Sequence, residues 1–337
     1  MSEYSDIKVS VIMPVYNARD YISNSVESVM KQTHENVEII LVDDCSTDGT
    51  IEVERKLAEK FQNIKVISNE ENSGQTLSRN HGLEYASGEW FIFLDADDEL
   101  NTVAIEEMLR VGLENNVDIV LCDYENIYDD GSRVKNTAKL TPGVYSAEEI
   151  TKNLFINIPL SVYSCIGTKL YKTDFLAKKR RTKDYPRTGG DFMFFSDAVL
   201  SDARVYYANK IFYEYYVRKG SISNTYRKNM YDDLTETRKG LWELFEKYGI
   251  SDLRKKELAT LRYEIIYMSL YQETFKNRRY SDFISMYNRI FSSDEAMDAI
   301  LYLSKHGDCI KKRLFMKMFN YPKCLYRLIN IRRSFSI

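Results

Sequence analysis

The stretch Trp90-Phe-Ile-Phe-Leu-Asp-Ala-Asp-Asp98 joins a run of apolar residues directly to three carboxylates. A short, uniformly apolar run is typical of a strand that is buried on both faces of a sheet. Three similar runs precede it, at Val9-Ser-Val-Ile-Met13, Val37-Glu-Ile-Ile-Leu-Val42 and Ile64-Lys-Val-Ile67, and segments with helical spacing separate them. Strands that alternate with helices predict parallel pairing. We therefore predict an α/β fold with a doubly wound, mostly parallel sheet, whose first strand ends at Pro14.

The pattern continues with a predicted helix over about 102–114 and a predicted strand at Val117-Asp-Ile-Val-Leu121. The next hundred residues or so are irregular and aromatic, with Asp129-Asp-Gly131 as a predicted hairpin turn. Apolar residues then recur at helical spacing, which predicts an α-helical C-terminal region. We divide the chain into three predicted regions: 1–125, 126–228 and 229–337.

The composition is that of a globular protein in a reducing compartment. The chain has 337 residues, 44% apolar and 29% charged, which excludes general disorder and favours about two domains. Its five cysteines are odd in number and lack the spacing of zinc or redox sites, so no disulfide framework is expected. The first residues are polar and acidic, and no apolar run approaches the ~18 residues of a membrane span. We therefore expect a cytoplasmic protein.

Basic residues are concentrated in a segment that we call the basic end, residues 311–333. No acidic residue follows position 308, whereas eight basic residues do: Lys311, Lys312, Arg313, Lys317, Lys323, Arg327, Arg332 and Arg333. Since the whole chain carries −3, the residues up to 308 carry −11. Each basic residue near an anionic membrane contributes roughly 1 kcal/mol, so we expect peripheral docking at the inner face of the plasma membrane. A polyanionic polymer is the alternative contact, and no other feature supports binding of nucleic acid.

Polar residues follow the first four predicted strands, at the end where parallel sheets bind ligands. They are Pro14-Val-Tyr-Asn17, Asp43-Asp44, the segment 72–79 and Asp95-Ala-Asp-Asp98. Carboxylates at adjacent strand ends form a cluster of hard oxygen ligands, which Mg²⁺ and Mn²⁺ prefer. Such an ion completes its coordination with water and phosphate oxygens. The pattern therefore predicts a nucleoside diphosphate that is held through a divalent metal.

Two other classes of nucleotide-binding protein are disfavoured. The sequence has no Gly-rich loop followed by Lys-Ser/Thr, which excludes a P-loop, and no Gly-x-Gly-x-x-Gly follows the first strand. A structural interpretation of the acidic motif stays open, because Asp98 can cap the helix predicted near Thr102. The position of Asp95, directly after a buried strand, favours a ligand site, because clustered carboxylates repel one another without a cation.

Four motifs resemble the GT-A glycosyltransferases of family 2. They are Val11-Ile-Met-Pro-Val-Tyr-Asn17, Leu41-Val-Asp-Asp-Cys-Ser-Thr-Asp-Gly-Thr50, Asn72-Ser-Gly74 with Ser78-Arg-Asn80, and Phe93-Leu-Asp-Ala-Asp-Asp98. A weaker resemblance follows through Gly167-Thr-Lys-Leu-Tyr171, Gly190-Asp-Phe192 and Arg218-Lys-Gly-Ser-Ile-Ser223. The resemblance implies a GT-A fold, with a nucleotide-sugar-binding half at 1–125 and an acceptor-side half at 126–228. The region 229–337 carries no family motif that we identify.

The resemblance implies a nucleotide-sugar donor, most often a UDP-sugar. It implies that Pro14, Tyr16 and Asp44 border the nucleobase, with the Asp44 carboxylate accepting a hydrogen bond from the uracil ring N–H. Arg79 is then expected near the nucleotide or its phosphates, and Asp95 is expected at the ribose or the sugar.

The resemblance also implies a Mn²⁺ or Mg²⁺ cofactor. Asp97 is then the main metal ligand and Asp98 supports it. Lys169 and Arg218 are candidate contacts of the donor diphosphate or of the acceptor, with an ordinary surface position as the alternative for each.

The family inverts the anomeric centre in a single in-line displacement, which requires a base for the acceptor hydroxyl. A carboxylate base contributes ~10²–10⁴-fold to the rate. Asp191 matches the aspartate of the family's Glu-Asp motif, and Gly190 stands where the family carries Glu. The alternative is that Asp191 caps a helix that begins at Phe192, and Asp184 and Asp197 are weaker candidates for the base.

We therefore expect an inverting, metal-dependent glycosyltransferase that extends a glycan or a lipid-linked acceptor in surface polysaccharide synthesis. One rival is a transferase that decorates a polyol-phosphate polymer such as teichoic acid. The other rival is a non-catalytic glycan-binding module. It stays an alternative because Gly190 replaces the family's Glu beside Asp191. The helical region 229–337 is a candidate surface for a homo-oligomer.

Overall fold

The computed structural model describes residues 4–154, 162–177, 189–218, 226, 228–250, 255–274, 279–306 and 321–332. The chain divides into two compact units, Met1–Arg218 and Lys219–Ile337. The first unit is an α/β domain, and the described part of the second consists of helices. One sheet of the first unit includes strands from both sides of residue 125. The roles predicted for the regions 1–125 and 126–228 stay predictions.

The first unit is built around a ten-stranded sheet. Its strands are β1 (Val9–Val15), β2 (Val37–Asp43), β3 (Ile64–Ser68), β4 (Trp90–Phe93), β5 (Glu99–Leu100), β6 (Ile119–Tyr128), β7 (Arg133–Asn136), β8 (Gly143–Tyr145), β9 (Lys169–Lys172) and β10 (Val205–Val217). Their order along the sheet is β3-β2-β1-β4-β9-β6-β10-β5, with β7 beside β6 and β8 beside β10. The core lies on both faces of the sheet, since every residue of β1 and β4 is buried.

The central strands are parallel, as the apolar runs predict. β1 pairs in parallel with β2 and β4, β2 pairs in parallel with β3, and β10 pairs in parallel with β6. β9 lies antiparallel between β4 and β6. The predicted α/β class with a mostly parallel sheet is confirmed, whereas the insertion of β9 was not predicted.

Helices cover the two faces of this sheet. They are α1 (Ile22–Met30), α2 (Thr50–Lys60), α3 (Gln75–Glu84), α4 (Ala104–Glu114), α5 (Ala147–Leu154), α6 (Thr173–Ala177) and α7 (Gly190–Leu200), with a short 3₁₀ helix at Ile166–Thr168. In α4, Ile105, Met108 and Leu109 recur at helical spacing and are buried. In α3, a Cβ atom at Gly82 would lie 2.5 Å from Ile12 Cγ2, so the glycine allows α3 to approach β1 closely.

β1 continues through Pro14 to Val15, so the predicted end of the first strand at Pro14 is wrong. Pro14 is paired in register with Val42 of β2. On its other side, β1 pairs with β4 only as far as Ile12, which lies opposite Phe93. Pro14 lies beyond that pairing, and its missing N–H therefore leaves no bond to β4 unmade.

The predicted hairpin turn at Asp129-Asp-Gly131 is confirmed and joins β6 to β7. Tyr128 N donates to the carbonyl of Ser132 at 3.0 Å. Gly131 adopts a φ of 79°, which a glycine tolerates without steric cost.

The described part of the second unit contains α8 (Met230–Lys247), α9 (Lys255–Gln272), α10 (Tyr280–Phe291), α11 (Asp294–His306) and α12 (Pro322–Arg332). Tyr326 of α12 packs with its ring centroid 5.0 Å from that of the buried Phe283 of α10. None of the described helices combines the length and the apolar character that a membrane crossing requires. Of the basic end, residues 311–320 and 333 lie outside the described residues, and Lys323 and Arg327 are exposed on α12.

Candidate active site

Arg79 lies at the centre of the candidate site and joins two carboxylates. It belongs to α3, and its side chain is only 3% exposed. Its Nη2 donates to Asp95 Oδ1 at 2.6 Å, and its Nη1 donates to Asp191 Oδ1 at 2.5 Å. A buried cation requires such partners, because removing an unpaired charge from water is costly. The two carboxylates raise the pKa of Arg79, so the guanidinium stays charged.

Asp191 lies in the first turn of α7, where Gly189 rather than Asp191 occupies the N-cap position. Its carboxylate binds Arg79 through Oδ1, and no second described residue donates to it. The side chain is 29% exposed. Burial raises the pKa of Asp191, although Arg79 and Lys169 act in the opposite direction. Among the described residues the predicted base therefore has no donor to its second oxygen, Oδ2, and burial increases its affinity for a proton.

Of the two weaker candidates for the base, Asp197 lies further along α7 and is buried. Asp184 lies outside the described residues. The bond to Arg79 distinguishes Asp191 from Asp197 in the described structure.

The acidic loop Asp95-Ala-Asp-Asp98 follows β4, as the sequence indicates. Asp95 Oδ1 also accepts a hydrogen bond from Gln75 Nε2 at 3.0 Å. No described residue other than Asp97 itself donates a hydrogen bond to the Asp97 carboxylate. Burial raises the pKa of Asp97 to about 6, and the charge of Asp95 acts in the same direction. Asp97 therefore lies beside a second carboxylate, and the nearby Arg218 guanidinium offsets only part of the repulsion between them.

Asp98 differs from its neighbours, because both of its oxygens accept hydrogen bonds within the protein. Tyr213 Oη donates to Oδ2 at 2.5 Å, and Tyr216 N donates to Oδ1 at 2.9 Å. The side chain is 1% exposed, and burial raises its pKa. Asp98 therefore fixes the acidic loop to β10, and its donors come from β10 rather than from the helix near Thr102. Its predicted support of a metal stays a prediction.

The described residues contain no group of three acidic, histidine or cysteine side chains that would enclose a metal by themselves. Asp97 and the remaining oxygen of Asp95 nevertheless suit a hard divalent cation. The repulsion that raises the pKa of Asp97 is relieved when such a cation binds. The residues present therefore fit Mn²⁺ or Mg²⁺ with water and phosphate oxygens in the other positions.

Asp44 holds the turn that precedes α3. Its Oδ1 accepts from Ser73 N at 2.8 Å and Asn69 Nδ2 at 2.7 Å, and its Oδ2 accepts from Gly74 N at 2.7 Å. Asn69 Oδ1 in turn lies 2.7 Å from His81 Nδ1. The sequence analysis missed Asn69, although its position directly after β3 at the ligand-binding edge was an available signal.

The residues predicted to border the nucleobase lie at the end of β1. Pro14 is buried in the strand, and Tyr16 follows it with 51% of its surface exposed. An exposed aromatic ring beside a buried carboxylate is suited to stacking on a planar base. The contacts of Pro14, Tyr16 and Asp44 with a nucleobase stay predictions.

Lys169 is completely buried, so its alternative interpretation as a surface residue is wrong. Its ammonium donates to the carbonyls of Val162, Tyr163 and Cys165 at 2.6, 3.0 and 2.5 Å. An ammonium has three donors, so these bonds use all of them. Burial lowers the pKa of Lys169 to about 8. Lys169 therefore fixes the segment before β9, and its predicted contact with the donor would require the loss of a carbonyl partner.

Arg218 lies against two tyrosines and against the acidic loop. Its guanidinium carbon lies 3.9 Å from the ring centroid of Tyr21 and 5.0 Å from that of Tyr216. Its Nη2 donates to the Asp97 carbonyl at 2.7 Å. The sequence analysis missed both tyrosines, because the chain contains 26 of them and no spacing marks these two. The structure brings Arg218 to the predicted metal ligand, and its contact with a diphosphate stays a prediction.

The fold and these contacts define an α/β domain with an acidic candidate site at the carboxyl ends of its parallel strands. Residues 10–175 match the family model described as glycosyl transferase family 2. Residues 10–175 therefore form a glycosyl transferase family 2 domain, which confirms the family predicted from the four motifs.

Two relatives and one solved structure illustrate the similarity. The chain is 30% identical over 226 residues to the glycosyltransferase GlyA of Streptococcus pneumoniae, which covers 66% of this chain and 32% of GlyA. It is 42% identical over 124 residues to TuaG of Bacillus subtilis, which is named as a proposed glycosyltransferase of teichuronic acid biosynthesis, and this covers 37% of this chain and 49% of TuaG. The structure of S. aureus TarS 1-349 in complex with UDP-GlcNAc has a TM-score of 0.67 at 22% identity and covers 97% of this chain and 92% of TarS 1-349. The chain thus spans about a third of GlyA and half of TuaG, and the likeness to TarS shows the fold.

Proposed function

We propose that the protein transfers a sugar, with inversion, from a nucleotide donor to a hydroxyl of a glycan or lipid-linked acceptor in surface polysaccharide synthesis. The observation that carries this proposal is the pair of bonds by which Arg79 holds both Asp95 and Asp191. An in-line displacement requires the base to lie at a fixed position relative to the donor site. In this proposal the buried Arg79 side chain fixes that position, because it binds both carboxylates.

Asp191 is the base in this proposal. The acceptor hydroxyl donates its hydrogen bond to Asp191 Oδ2, the oxygen that does not bind Arg79. As the hydroxyl oxygen bonds to the anomeric carbon, its proton passes to Asp191, and the electron pair of the breaking C–O bond leaves with the diphosphate. Burial raises the pKa of Asp191 above its usual value, which makes Asp191 a stronger base than an exposed aspartate. Arg79 orients the carboxylate by holding its other oxygen.

Asp97 and Asp95 are the residues that would hold Mn²⁺ or Mg²⁺. When bound, the ion supplies Lewis-acid stabilisation of the negative charge on the departing diphosphate. Two contacts anchor the acidic loop to the rest of the protein: Asp98 accepts a hydrogen bond from Tyr213, and Arg218 donates one to the Asp97 carbonyl. Removal of the metal is expected to abolish donor binding more than it affects folding, because both anchors of the loop are made by protein groups.

The donor in this proposal is a UDP-sugar. The exposed ring of Tyr16 and the carboxylate of Asp44 lie at neighbouring strand ends, where a uracil base can stack on one and donate to the other. The presence of UDP-GlcNAc in the TarS complex supports a nucleotide-sugar donor for a chain of this fold.

The acceptor is proposed from the relatives and from the basic end. The name of TuaG refers to teichuronic acid biosynthesis, which supports a surface polysaccharide. The exposed Lys323 and Arg327 on α12 support contact of the basic end with an anionic membrane that carries a lipid-linked acceptor. The same charges suit a polyol-phosphate polymer, which is the second candidate acceptor.

A screen of nucleotide sugars for Mn²⁺-dependent release of UDP tests the proposal. We expect release with one or a few UDP-sugars, its loss in Asp97→Ala and in EDTA, and its loss in Asp191→Asn. Binding of UDP without turnover of any nucleotide sugar, and identical behaviour of the Asp191→Asn variant, would favour the non-catalytic module. A lipid-linked oligosaccharide and a polyol-phosphate polymer, compared as acceptors, separate the two candidates.

A further inference from the structure

The first turns of α3 and α7 meet at Thr76 and Gly190. A Cβ atom at position 190 would lie 2.4 Å from Thr76 Oγ1, 3.2 Å from Thr76 Cγ2 and 3.4 Å from Thr76 Cβ. The first of these distances is far below van der Waals contact. A side chain at position 190 therefore requires Thr76 to leave its present rotamer or the two helices to move apart.

Gly190 is required by this lack of space and not by its backbone. Gly189, the N-cap of α7, has a φ of 77°, in the left-handed region that favours glycine. Gly190 is not among the residues with positive φ, so an alanine fits its backbone conformation. Replacement of glycine by alanine inside a helix is ordinarily stabilising. The contact with Thr76 is thus the feature of this position that opposes a side chain.

The contact lies directly beside the ion pair of the candidate site. Asp191 follows Gly190 in α7, and Arg79 lies three residues after Thr76, on the same face of α3. Thr76, Gly190, Arg79 and Asp191 also line one small cavity, together with Phe194. A change in the distance between Thr76 and Gly190 therefore changes the distance between the guanidinium and the carboxylate.

We infer that Thr76 and Gly190 form a size-matched contact that sets the separation of α3 and α7, and that Thr76 is thereby a positioning residue for the base. This inference rests on the proposed role of Asp191. It also accounts for the glycine at position 190, where the family carries Glu. In this chain the branched side chain of Thr76 fills the space that a residue at 190 would need. The departure from the family pattern therefore goes with a filled contact in α3, and it leaves Asp191 in place.

A double-mutant cycle in the full-length protein tests the contact. The four forms are the wild type, Gly190→Ala, Thr76→Ala and the double variant Thr76→Ala/Gly190→Ala. Removal of Oγ1 and Cγ2 leaves the Thr76 Cβ 3.4 Å from the new methyl group, which both helices accommodate with little movement. Steady-state UDP release from the best nucleotide sugar, calorimetric binding of UDP and the melting temperature are measured for each form.

We expect Gly190→Ala to lower kcat about tenfold and to lower the melting temperature, with the Kd for UDP unchanged within about twofold. The double variant is expected to recover kcat to within about threefold of the wild type. The acid limb of the kcat/KM profile should move to higher pH in Gly190→Ala and return in the double variant. Arg79 lowers the pKa of Asp191 and Asp95 raises it, while Lys169 also lowers it. Of these three groups, it is Arg79 that the wider spacing moves away.

Wild-type kcat in Gly190→Ala, or an equal loss in the single and double variants, would overturn the inference. The failure of the proposed function has a different signature. If Asp191→Asn keeps wild-type kcat, then Asp191 is not the base. The cycle in melting temperature still reports whether Thr76 and Gly190 compete for space, so recovery of stability in the double variant would support the contact alone.

Discussion

Arg79 Nη1 lies 2.5 Å from Asp191 Oδ1, although the two residues are 112 positions apart in the chain. The same guanidinium also binds Asp95, on the acidic loop that follows β4. One buried cation therefore holds the predicted donor side and the predicted base in a fixed relation. Both halves of the proposed displacement depend on this single side chain.

Replacement of Asp191 by Asn is expected to lower kcat by ~10²–10⁴-fold, because an amide cannot take up the proton of the acceptor hydroxyl. The KM for the donor should change little, since the predicted donor contacts lie elsewhere. Steady-state UDP release in the presence of the acceptor measures both constants. The exposed Asp174 of α6, changed to Asn, is the matched control and should keep the wild-type rate. Loss of donor affinity alone in Asp191→Asn would argue against a role as base.

Replacement of Arg79 by Lys should shift the acid limb of the kcat/KM profile to higher pH. Arg79 lowers the pKa of Asp191, so a weaker ion pair between the two residues raises that pKa. Asp191 acts as a base only when it is ionised, at a pH above its pKa. An ammonium cannot bridge two carboxylates as a guanidinium does. We also expect a loss of roughly 1–3 kcal/mol in stability, because at least one hydrogen bond of the buried guanidinium is not replaced.

Arg110 provides the control for the Arg79 variant, because it also pairs with two carboxylates, Glu107 and Glu114, but on the surface. Its replacement by Lys should cost less than about 1 kcal/mol by urea denaturation. Equal losses for the two variants would show that the buried position of Arg79 is unimportant.

Replacement of Glu54 by Gln should flatten the dependence of stability on pH. Glu54 of α2 is completely buried, no described residue donates to its carboxyl, and burial raises its pKa from 4.5 to about 8. Between these two pKa values the Glu54 carboxyl is ionised in the unfolded protein and protonated in the folded protein. Stability therefore falls by roughly 1.4 kcal/mol per pH unit as the pH rises through this window, and is constant above it.

Urea denaturation at pH 5 and pH 8 measures this effect. The exposed Glu52 of the same helix, changed to Gln, is the control and should keep the wild-type difference between the two pH values. An unchanged difference in Glu54→Gln would show that Glu54 is ionised in the folded protein.

Replacement of Lys169 by Met should cost roughly 2–4 kcal/mol in stability, because three buried carbonyls lose their donor. If fixing this segment is the whole role of Lys169, kcat falls while the KM for the donor stays within about twofold. A large rise in KM would instead support the predicted contact with the diphosphate. Melting temperature and steady-state kinetics distinguish the two, with the neighbouring Lys172→Met as the control on the same strand.

The central part of the fold follows from the sequence because its apolar runs are short, wholly buried and separated by helices. The strands β1 to β4 and the acidic loop after β4 were predicted on these grounds. β9 was not, because Lys169-Leu-Tyr-Lys172 is short and polar at both ends, and its burial depends on partners that lie far away in the chain. Tertiary pairing, rather than local pattern, makes it a strand.

The candidate site divides in the same way. The residue types and strand ends indicated Asp95 and Asp97, and the resemblance to the family indicated Asp191. They could not reveal that both oxygens of Asp98 are bound by β10, or that Lys169 is committed to three carbonyls. Such roles depend on side chains from distant segments of the chain. Sequence motifs alone do not show which residue forms a hydrogen bond with a given carboxylate or ammonium.

The location of β9 also affects how the chain is made. Residues 169–172 insert between β4 and β6, which a ribosome releases earlier. Until β9 emerges, those two strands each present an unpaired edge that neighbouring nascent chains can join. A fragment that stops near residue 125 keeps the four strongest family motifs but lacks the strand that joins β4 to β6. Expression of such fragments should therefore yield aggregates. A truncation that retains β9 and β10 keeps the partners of β4 and β6 and should stay in solution.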